Sequence, residues 1–438
     1  MMASTQKQRI GMLGVLGAGM RGLAWILWRQ GNEIAGTDTQ LRPEHASEGD
    51  LQGYELYPEI EFEQVLKQLD LVVHSDSVNT DHPVLRAAKQ HGILIKPYQE
   101  ALGEVSAQYM TIAIAGTHGK SSTTAFLAHV LTEAGLDPTV LVGAPIDGWE
   151  CKHARVGQSN IFVVEADEYR NHFLALTPSH IIITSIDFDH PDYFSSLADV
   201  EASYNSFVHK LPPGGALITH AAIQSDHPSL SWPAQTIAIP PSDWDDIDVP
   251  LPGEHMRQNA GLAVTAATRI AKIPSTDARQ FLRTFPGLGR RTEAIGSFRT
   301  TPVISDYGHH PEEIRTTLSG LKEKYSGERL LVIFEAHMRE RLDHFLLDFA
   351  KALSRADGVI IYPPFSPVGR EAQTTNPHTQ KLAALLTEQG VQTHLLTAAA
   401  ELSNTLTQTS SDYDRIIAFT AGALDAQLRS LVSKDLDS

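Results

Sequence analysis

Short apolar runs recur along this chain, separated by stretches with helical period, and they group into three successive blocks. The first opens on the strand Ile10-Gly11-Met12-Leu13-Gly14-Val15 and continues through Glu33-Ile34-Ala35-Gly36 and Leu69-Asp70-Leu71-Val72-Val73-His74. A helical stretch, Pro83-Val84-Leu85-Arg86-Ala87-Ala88, follows, and the block closes near Glu104. The second opens on Met110-Thr111-Ile112-Ala113-Ile114-Ala115, enters a helix over 125–134, and adds apolar strands beginning at Asn160 and His180. Residues 225–252, rich in Pro, Asp and Ser, read as irregular structure or short edge strands, and a helix over 259–271 ends before Pro274. After Pro286-Gly287-Leu288-Gly289 come strands at 302–305, 329–334, 358–362 and 415–419. Strands alternating with helices predict α/β layers, here as three domains over 1–106, 107–297 and 298–438.

Composition narrows the function classes. A chain of 438 residues at 42% hydrophobic and 20% charged builds folded cores and is not disordered. Its formal net charge of 35 − 52 = −17 argues against a nucleic-acid backbone as partner, while leaving local phosphate binding open. A single cysteine, Cys151, excludes an intramolecular disulfide and a Cys-rich zinc module, and it fits a reducing cytosol. No uncharged apolar run approaches the ~18 residues needed to cross a bilayer. The run Ile10 to Met20 imitates a signal peptide, but Arg21 ends it and no small-x-small site follows before Gln30. The expectation is a cytoplasmic protein with no membrane or nucleic-acid partner, a monomer or weak homodimer.

The sharpest chemical signal is Gly116-Thr117-His118-Gly119-Lys120-Ser121-Ser122, with an apolar strand running in and a helix running out. Glycines let backbone wrap a phosphate, the helix start supplies N–H donors, Lys120 reaches terminal phosphates, and Ser121 occupies the position of a Mg²⁺ ligand. The loop is shorter than the common P-loop, since position 114 is Ile. Downstream, an apolar strand ends in Glu165-Ala166-Asp167-Glu168, where a nucleotide-bound Mg²⁺ finds a second protein ligand; Glu165 is the first acid after the run. The strand from His180 likewise delivers Asp187-Phe188-Asp189-His190 to its C-terminal edge, where ligands of parallel sheets collect.

Two further loops are candidates. Gly14-Val15-Leu16-Gly17-Ala18-Gly19-Met20 lacks the glycine at position 16 of a dinucleotide fingerprint, yet Gly17 and Gly19 still admit a diphosphate, with Asp38 ending the next strand. A tight turn without a ligand fits the same residues. In the third block, Ser305-Asp306-Tyr307-Gly308-His309-His310-Pro311 follows a strand; Asp306 suits a ribose or a phosphate-bound water, and His309 a substrate carboxylate.

Taken together these residues resemble the Mur ligase family of ATP-dependent amide ligases, in the right order over nearly the whole chain. The P-loop, Glu165-Ala166-Asp167-Glu168 and Asp189-His190 match the family's nucleotide and metal motifs. Glu254-His255-Met256-Arg257-Gln258-Asn259 is similar to its H-N-x-x-N segment, and Gly289-Arg290-Arg291 to its arginine pair. Asp306-Tyr307-Gly308-His309-His310-Pro311, with 165–173 and 187–194, points to the alanine-adding member.

The resemblance implies a Rossmann-like sugar-nucleotide domain, a central P-loop ATPase-type parallel-sheet domain and a C-terminal Rossmann-like amino-acid domain. It implies ATP held by 116–122, His255, Asn259, Arg291 and Asp306, and Mg²⁺ (or Mn²⁺) at Ser121, Glu165 and His190. Gly17, Ala18, Gly19, Met20, Asp38 and Ser75 are expected at UDP-N-acetylmuramate, and Tyr307, His309, His337 and Arg341 at L-alanine. Lys120, Glu165, His190, His309 and Arg341 form the expected catalytic set. The implied reaction phosphorylates the lactyl carboxylate, and the amine of alanine attacks the resulting acyl phosphate.

Glu335-Ala336-His337-Met338-Arg339-Glu340-Arg341 keeps His337 and Arg341 of the family's Q-P-H-x-(Y/F)-(S/T)-R stretch but loses its middle. Leu16, Ser185 and the segment Ala421-Gly422-Ala423-Leu424-Asp425 also depart from the pattern. Three other readings stay open: a ligase that attaches a preformed peptide, a nucleotide-binding module without catalysis, and a nicotinamide-dependent oxidoreductase, which leaves the P-loop unexplained.

Overall fold

The structure, a computed structural model, describes residues 7–365, 377–398, 400–420, 422 and 424–433; Ala421 and Ala423 lie outside the described residues. The described residues within 1–187, 197–247 and 259–285 form one unit, and those within 188–196, 248–258 and 286–438 a second.

The first unit carries two sheets. One contains β1 (Arg9–Leu13), β2 (Glu33–Thr37), β3 (Glu55–Leu56), β4 (Leu71–His74) and β5 (Leu94–Pro97), all parallel in the order β3-β2-β1-β4-β5. The other contains β6 (Met110–Ala115), β7 (Thr139–Leu141), β8 (Ala154–Arg155), β9 (Ile161–Glu165), β10 (His180–Ile183), β11 (Leu217–His220) and β12 (Thr236–Ile239). Its order is β12-β11-β10-β6-β9-β7-β8, parallel except for β8 at one edge. Central strands such as Ile-Phe-Val-Val in β9 and Ile-Ile-Ile in β10 are buried throughout, as expected where helices cover both faces. The strands invisible in the pattern, such as β3, β7 and β8, are two or three residues long and close to sheet edges, too short to display a period.

The helix after β6 spans Lys120–Glu133 and starts five residues before its apolar pattern, because Ser121, Ser122, Thr123 and Thr124 are buried although polar. Residues 225–252 contain β12 at the sheet edge and otherwise only short helical turns, as their composition predicts. Among the described residues no helix is long and apolar enough to cross a membrane.

The second unit holds a six-stranded sheet of β13 (Glu293–Phe298), β14 (Thr301–Asp306), β15 (Leu330–His337), β16 (Gly358–Phe365), β17 (Gln392–Leu395) and β18 (Arg415–Phe419). The order is β13-β14-β18-β15-β16-β17, parallel except for β13. Period two sorts its core. Leu330, Val332 and Phe334 join Ile417 and Phe419 on one face, while Leu331 and Ile333 join Ile416 and Ala418 on the other.

Candidate active site

Sheet order assembles the nucleotide loop. Because β6 lies between β10 and β9, the segments leaving those strands flank the turn that follows Ala115. Two glycines make that turn possible. Gly116 has φ +148°, and a Cβ there would stand 1.9 Å from Thr184 Oγ1; Gly119 has φ +83°, and a Cβ there would stand 2.4 Å from Asn259 Oδ1. The β10 segment then pins the loop. The His118 amide donates to Ser185 Oγ at 2.7 Å, the Thr117 amide to Ser185 O at 3.2 Å, and the Asp187 amide to Thr117 Oγ1 at 2.9 Å. Ser185 thus holds the loop through its hydroxyl.

On the β9 side, Ser121 Oγ donates to Glu165 Oε2 at 2.9 Å, and the Gly143 amide donates to the same oxygen at 2.8 Å. Two of the three residues named as metal ligands, Ser121 and Glu165, therefore meet beside the loop. Lys120 does not project outward. Its Nζ donates to Gly116 O at 2.6 Å and to Glu168 Oε2 at 2.8 Å. Burial opposes the charge on Lys120, but the carboxylates of Glu168, Asp167 and Glu165 outweigh it and raise the pKa. Glu168 is among the most buried of the acids here, a depth that chain order does not report.

The donor set fits a hard divalent cation bound with a nucleotide. Ser121 and Glu165 offer oxygen at a helix start, and the Thr123 and Thr124 hydroxyls nearby are buried with no hydrogen-bond partner among the described residues. No thiolate competes: Cys151 is buried, and burial pushes its thiol up to about 12.

In the first sheet, Gly17 caps the helix Ala18–Arg29, and Gly19 packs so closely on Tyr98 that a Cβ would lie 2.8 Å from its hydroxyl. Asp38 is already engaged: it accepts the Leu16 amide at 3.1 Å and the Gln40 amide at 3.0 Å, so it shapes the loop. Met20 is a core residue at 3% exposure, which leaves its side chain no ligand role, and Ser75 Oγ shares a hydrogen bond with Ser77 Oγ at 3.0 Å.

In the second unit, Asp306 is buried and accepts the Thr292 amide at 2.8 Å and the Gly308 amide at 2.7 Å. Burial raises its pKa to about 6 despite those donors and Arg291. The carboxyl expected at a ribose is therefore committed to holding its own turn. Arg290 lies 4.5 Å from the Tyr307 ring centre and Arg291 5.8 Å, while Arg291 also approaches Glu313 at 3.6 Å. His309 Nδ1 donates to Tyr307 O at 3.1 Å, and burial lowers its pKa to about 3. His255 is half-buried, as His309 is; desolvation lowers its pKa to about 4, and its Nδ1 has no partner among the described residues.

Arg341, expected at L-alanine, is at 3% exposure and its guanidinium is engaged through all three nitrogens. Its Nε and Nη2 donate to Asp189 Oδ1 at 3.0 and 2.8 Å, and its Nη1 to His337 Nδ1 at 2.9 Å. That contact makes Nδ1 of His337 the acceptor and leaves the ring proton on Nε2. His337 and His309 sit 5.6 Å apart, edge to face. Asp189, next to His190 in the chain, thus carries the charge opposite Arg341. His190 itself has φ +57°, and its amide donates to Asp189 Oδ1 at 2.7 Å. Met338, at the altered segment, has φ +68° and ψ 138°, a conformation costly for a residue with a side chain.

Comparisons with known proteins agree with this division of the chain. Residues 9–110 match the Mur ligase family catalytic domain, 114–232 the Mur ligase middle domain, and 290–422 the Mur ligase glutamate ligase domain. The UDP-N-acetylmuramate–L-alanine ligase of Desulfitobacterium hafniense is 30% identical, covering 97% of this chain and 99% of its own. The enzyme of that name from Lachnospira eligens is 32% identical, over 94% and 95%. Among solved structures, the UDP-N-acetylmuramate-alanine ligase of Thermotoga maritima superposes with a TM-score of 0.78 at 23% identity, over 97% of this chain and 98% of that one. A murein peptide ligase from Psychrobacter arcticus gives 0.70 at 23% identity, over the same shares. At that identity the structural likeness concerns the fold.

Proposed function

Since the chain belongs to the Mur ligase family, we propose that it is an ATP-dependent ligase joining L-alanine to the lactyl carboxylate of UDP-N-acetylmuramate, with release of ADP and phosphate. The observation that carries this reading is the meeting of Ser121 and Glu165 beside the Lys120 loop at the C-terminal edge of one parallel sheet. A carboxylate acylates poorly because its leaving oxygen is an oxyanion. Phosphorylation by ATP turns that oxygen into a leaving phosphate, which the amino group of alanine displaces.

The chain's own residues supply positioning and charge. Gly116 and Gly119 open the loop so that backbone amides meet phosphate, and Lys120 offsets charge on the transferred group. Ser121 and Glu165 would hold Mg²⁺, and the ion would supply charge neutralisation between nucleotide and acceptor carboxylate. His337, with its proton set on Nε2 by Arg341, is a donor for the carboxylate of alanine. His309 offers Nε2 as an acceptor for its amine, because Nδ1 donates to Tyr307 O. Arg341 acts through His337 and Asp189. The names of the sequence relatives favour alanine over a preformed peptide as the amine.

Phosphate release measured across a panel of amino acids and peptides, with and without UDP-N-acetylmuramate, tests the proposal. Release that needs both the sugar nucleotide and L-alanine is expected. Rapid ATP hydrolysis without the sugar nucleotide, or turnover only with a peptide, overturns it.

A further inference from the structure

The turn after β9 carries a cation that the reaction described above leaves unused. Arg170 has φ 51° and ψ 27°, and Asn171 has φ 61° and ψ 27°, two successive residues in the left-handed region. Asparagine visits that region readily, whereas arginine does so at a steric cost. Anchors on both sides hold the turn. The Tyr169 amide donates to Asp167 Oδ1 at 3.2 Å, and the Phe173 amide to Asp167 O at 2.8 Å. Ser203 Oγ donates to Asn171 Oδ1, and Phe173 stacks on Phe207 in the core with ring centres 4.3 Å apart.

What this strained turn presents is an exposed guanidinium. Arg170 lies 5.4 Å from the Tyr169 ring centre and makes no hydrogen bond or ion pair among the described residues. Its charge reaches Asp76, but the acids beside it share a cation of their own. His172 Nε2 donates to Asp76 Oδ2, and its Nδ1 stands 3.7 Å from Asp167 Oδ2. Burial opposes a charge on His172, yet the two carboxylates outweigh it and raise its pKa to about 9.

The turn lies between two loops already described. Glu168, two residues before Arg170, pairs with Lys120 of the nucleotide loop at 2.8 Å. Asp76 follows Ser75 beyond the C-terminal end of β4, on the side expected to take the sugar nucleotide. Tyr98, against which Gly19 packs, lies in the field of Asp167 and Glu165. An acceptor carboxylate that takes the γ-phosphoryl of ATP has to come between these loops, whereas the diphosphate belongs at Gly17 and Gly19.

We propose that Arg170 is a substrate-binding residue that grips the lactyl carboxylate of the sugar nucleotide and holds it toward the Lys120 loop. The proposal rests on the ligase reading given above and adds a residue to its acceptor site. A guanidinium offers a carboxylate two parallel N–H donors. Backbone strain persists where the surrounding structure over-determines it, and it gathers at ligand clamps.

The test is calorimetric titration of the full chain with UDP-N-acetylmuramate and with UDP-N-acetylglucosamine, which has the diphosphate and sugar but no lactyl group. The parent binds the first more tightly. Arg170→Gln weakens UDP-N-acetylmuramate by about tenfold or more, the scale of a lost charge-assisted hydrogen bond, and leaves UDP-N-acetylglucosamine within about twofold. Arg170→Lys recovers only part of the loss, and the KM for ATP is unchanged in both variants. An equal loss for both sugar nucleotides moves Arg170 to the diphosphate, and no loss for either leaves it a surface residue; each result overturns the proposal.

Arg170→Gly separates binding from folding. Glycine accepts φ 51° without a steric cost, so this variant melts at or above the parent temperature while losing UDP-N-acetylmuramate as Arg170→Gln does. A fall in melting temperature parallel to the loss of affinity makes Arg170 a structural residue and overturns the proposal. Absence of UDP-N-acetylmuramate binding by the parent overturns the ligase reading itself, and the proposal with it.

Discussion

Ser121 Oγ and Glu165 Oε2 stand 2.9 Å apart, although 44 residues separate them in the chain. The hydroxyl leaves the first turn of the helix Lys120–Glu133, and the carboxylate leaves the last residue of β9, which pairs in parallel with β6. Glu165→Gln and Ser121→Ala should therefore lower turnover by about 10²-fold or more, the scale of removing one electrostatic stabiliser. Both should raise the Mg²⁺ concentration needed for half-maximal rate. EDTA should stop turnover and Mg²⁺ restore it, with little change in melting temperature without nucleotide. Titrating rate against Mg²⁺ checks the prediction, and an unchanged metal requirement in both variants removes the pair from the metal site.

Asp189 and Arg341 form a buried ion pair in which burial opposes, and Arg341 secures, a carboxyl held well below the usual range. Losing one partner of such a pair costs about 3–5 kcal/mol, so Asp189→Asn and Arg341→Leu should both lower stability measurably. If Arg341 works by setting the proton of His337, then Arg341→Lys and Asp189→Asn should each raise the KM for alanine far more than that for ATP. The double variant should be little worse than either single one. Fully additive KM effects would return Arg341 to a direct grip on the substrate.

Two half-buried, desolvated histidines predict an acid limit. His255 and His309 have pKa values lowered to about 4 and 3, against about 6.5 when unfolded, so both are neutral in the fold. Their contribution to stability is present above pH 6.5 and is lost as pH falls toward those folded values. Melting temperature should decline from pH 6.5 to pH 4, and His255→Gln should flatten part of that decline. An identical pH profile in the variant refutes the linkage.

Gly320 and Gly253 meet backbone to backbone. A Cβ on Gly320 would fall 2.5 Å from Gly253 Cα, and one on Gly253 would fall 2.7 Å from the His255 ring. Gly320→Ala should destabilise the protein by about 1–3 kcal/mol, since neither backbone can give way without moving the other. Chemical denaturation measures the loss, and a stability equal to the parent's refutes the close backbone approach.

The chemistry of the P-loop was legible without coordinates, and so were most central strands and the family. Glycine, lysine and hydroxyl at fixed spacing between an apolar strand and a helix depend on near neighbours in the chain, where backbone conformation is set by local sterics. The altered 335–341 segment was legible as an anomaly, and the left-handed Met338 within it is a conformational fact no pattern reports.

Other features depended on distance across the fold. Only the order β10-β6-β9 brings Glu165 and residues 184–187 to opposite sides of one loop. Among three acids in four residues, burial distinguishes Glu168, and its pairing with Lys120 is a contact across 48 residues of chain. Asp38 and Asp306 looked available because a sequence records a carboxylate but not the backbone amides that claim it. Arg341 looked like a substrate clamp until Asp189, 152 residues away, took its guanidinium. The sequence by itself determined which chemical groups this protein possesses and which local turns present them. The tertiary structure decided which groups satisfy one another, because desolvation forces every buried charge to find a partner, and that partner is chosen by proximity in space.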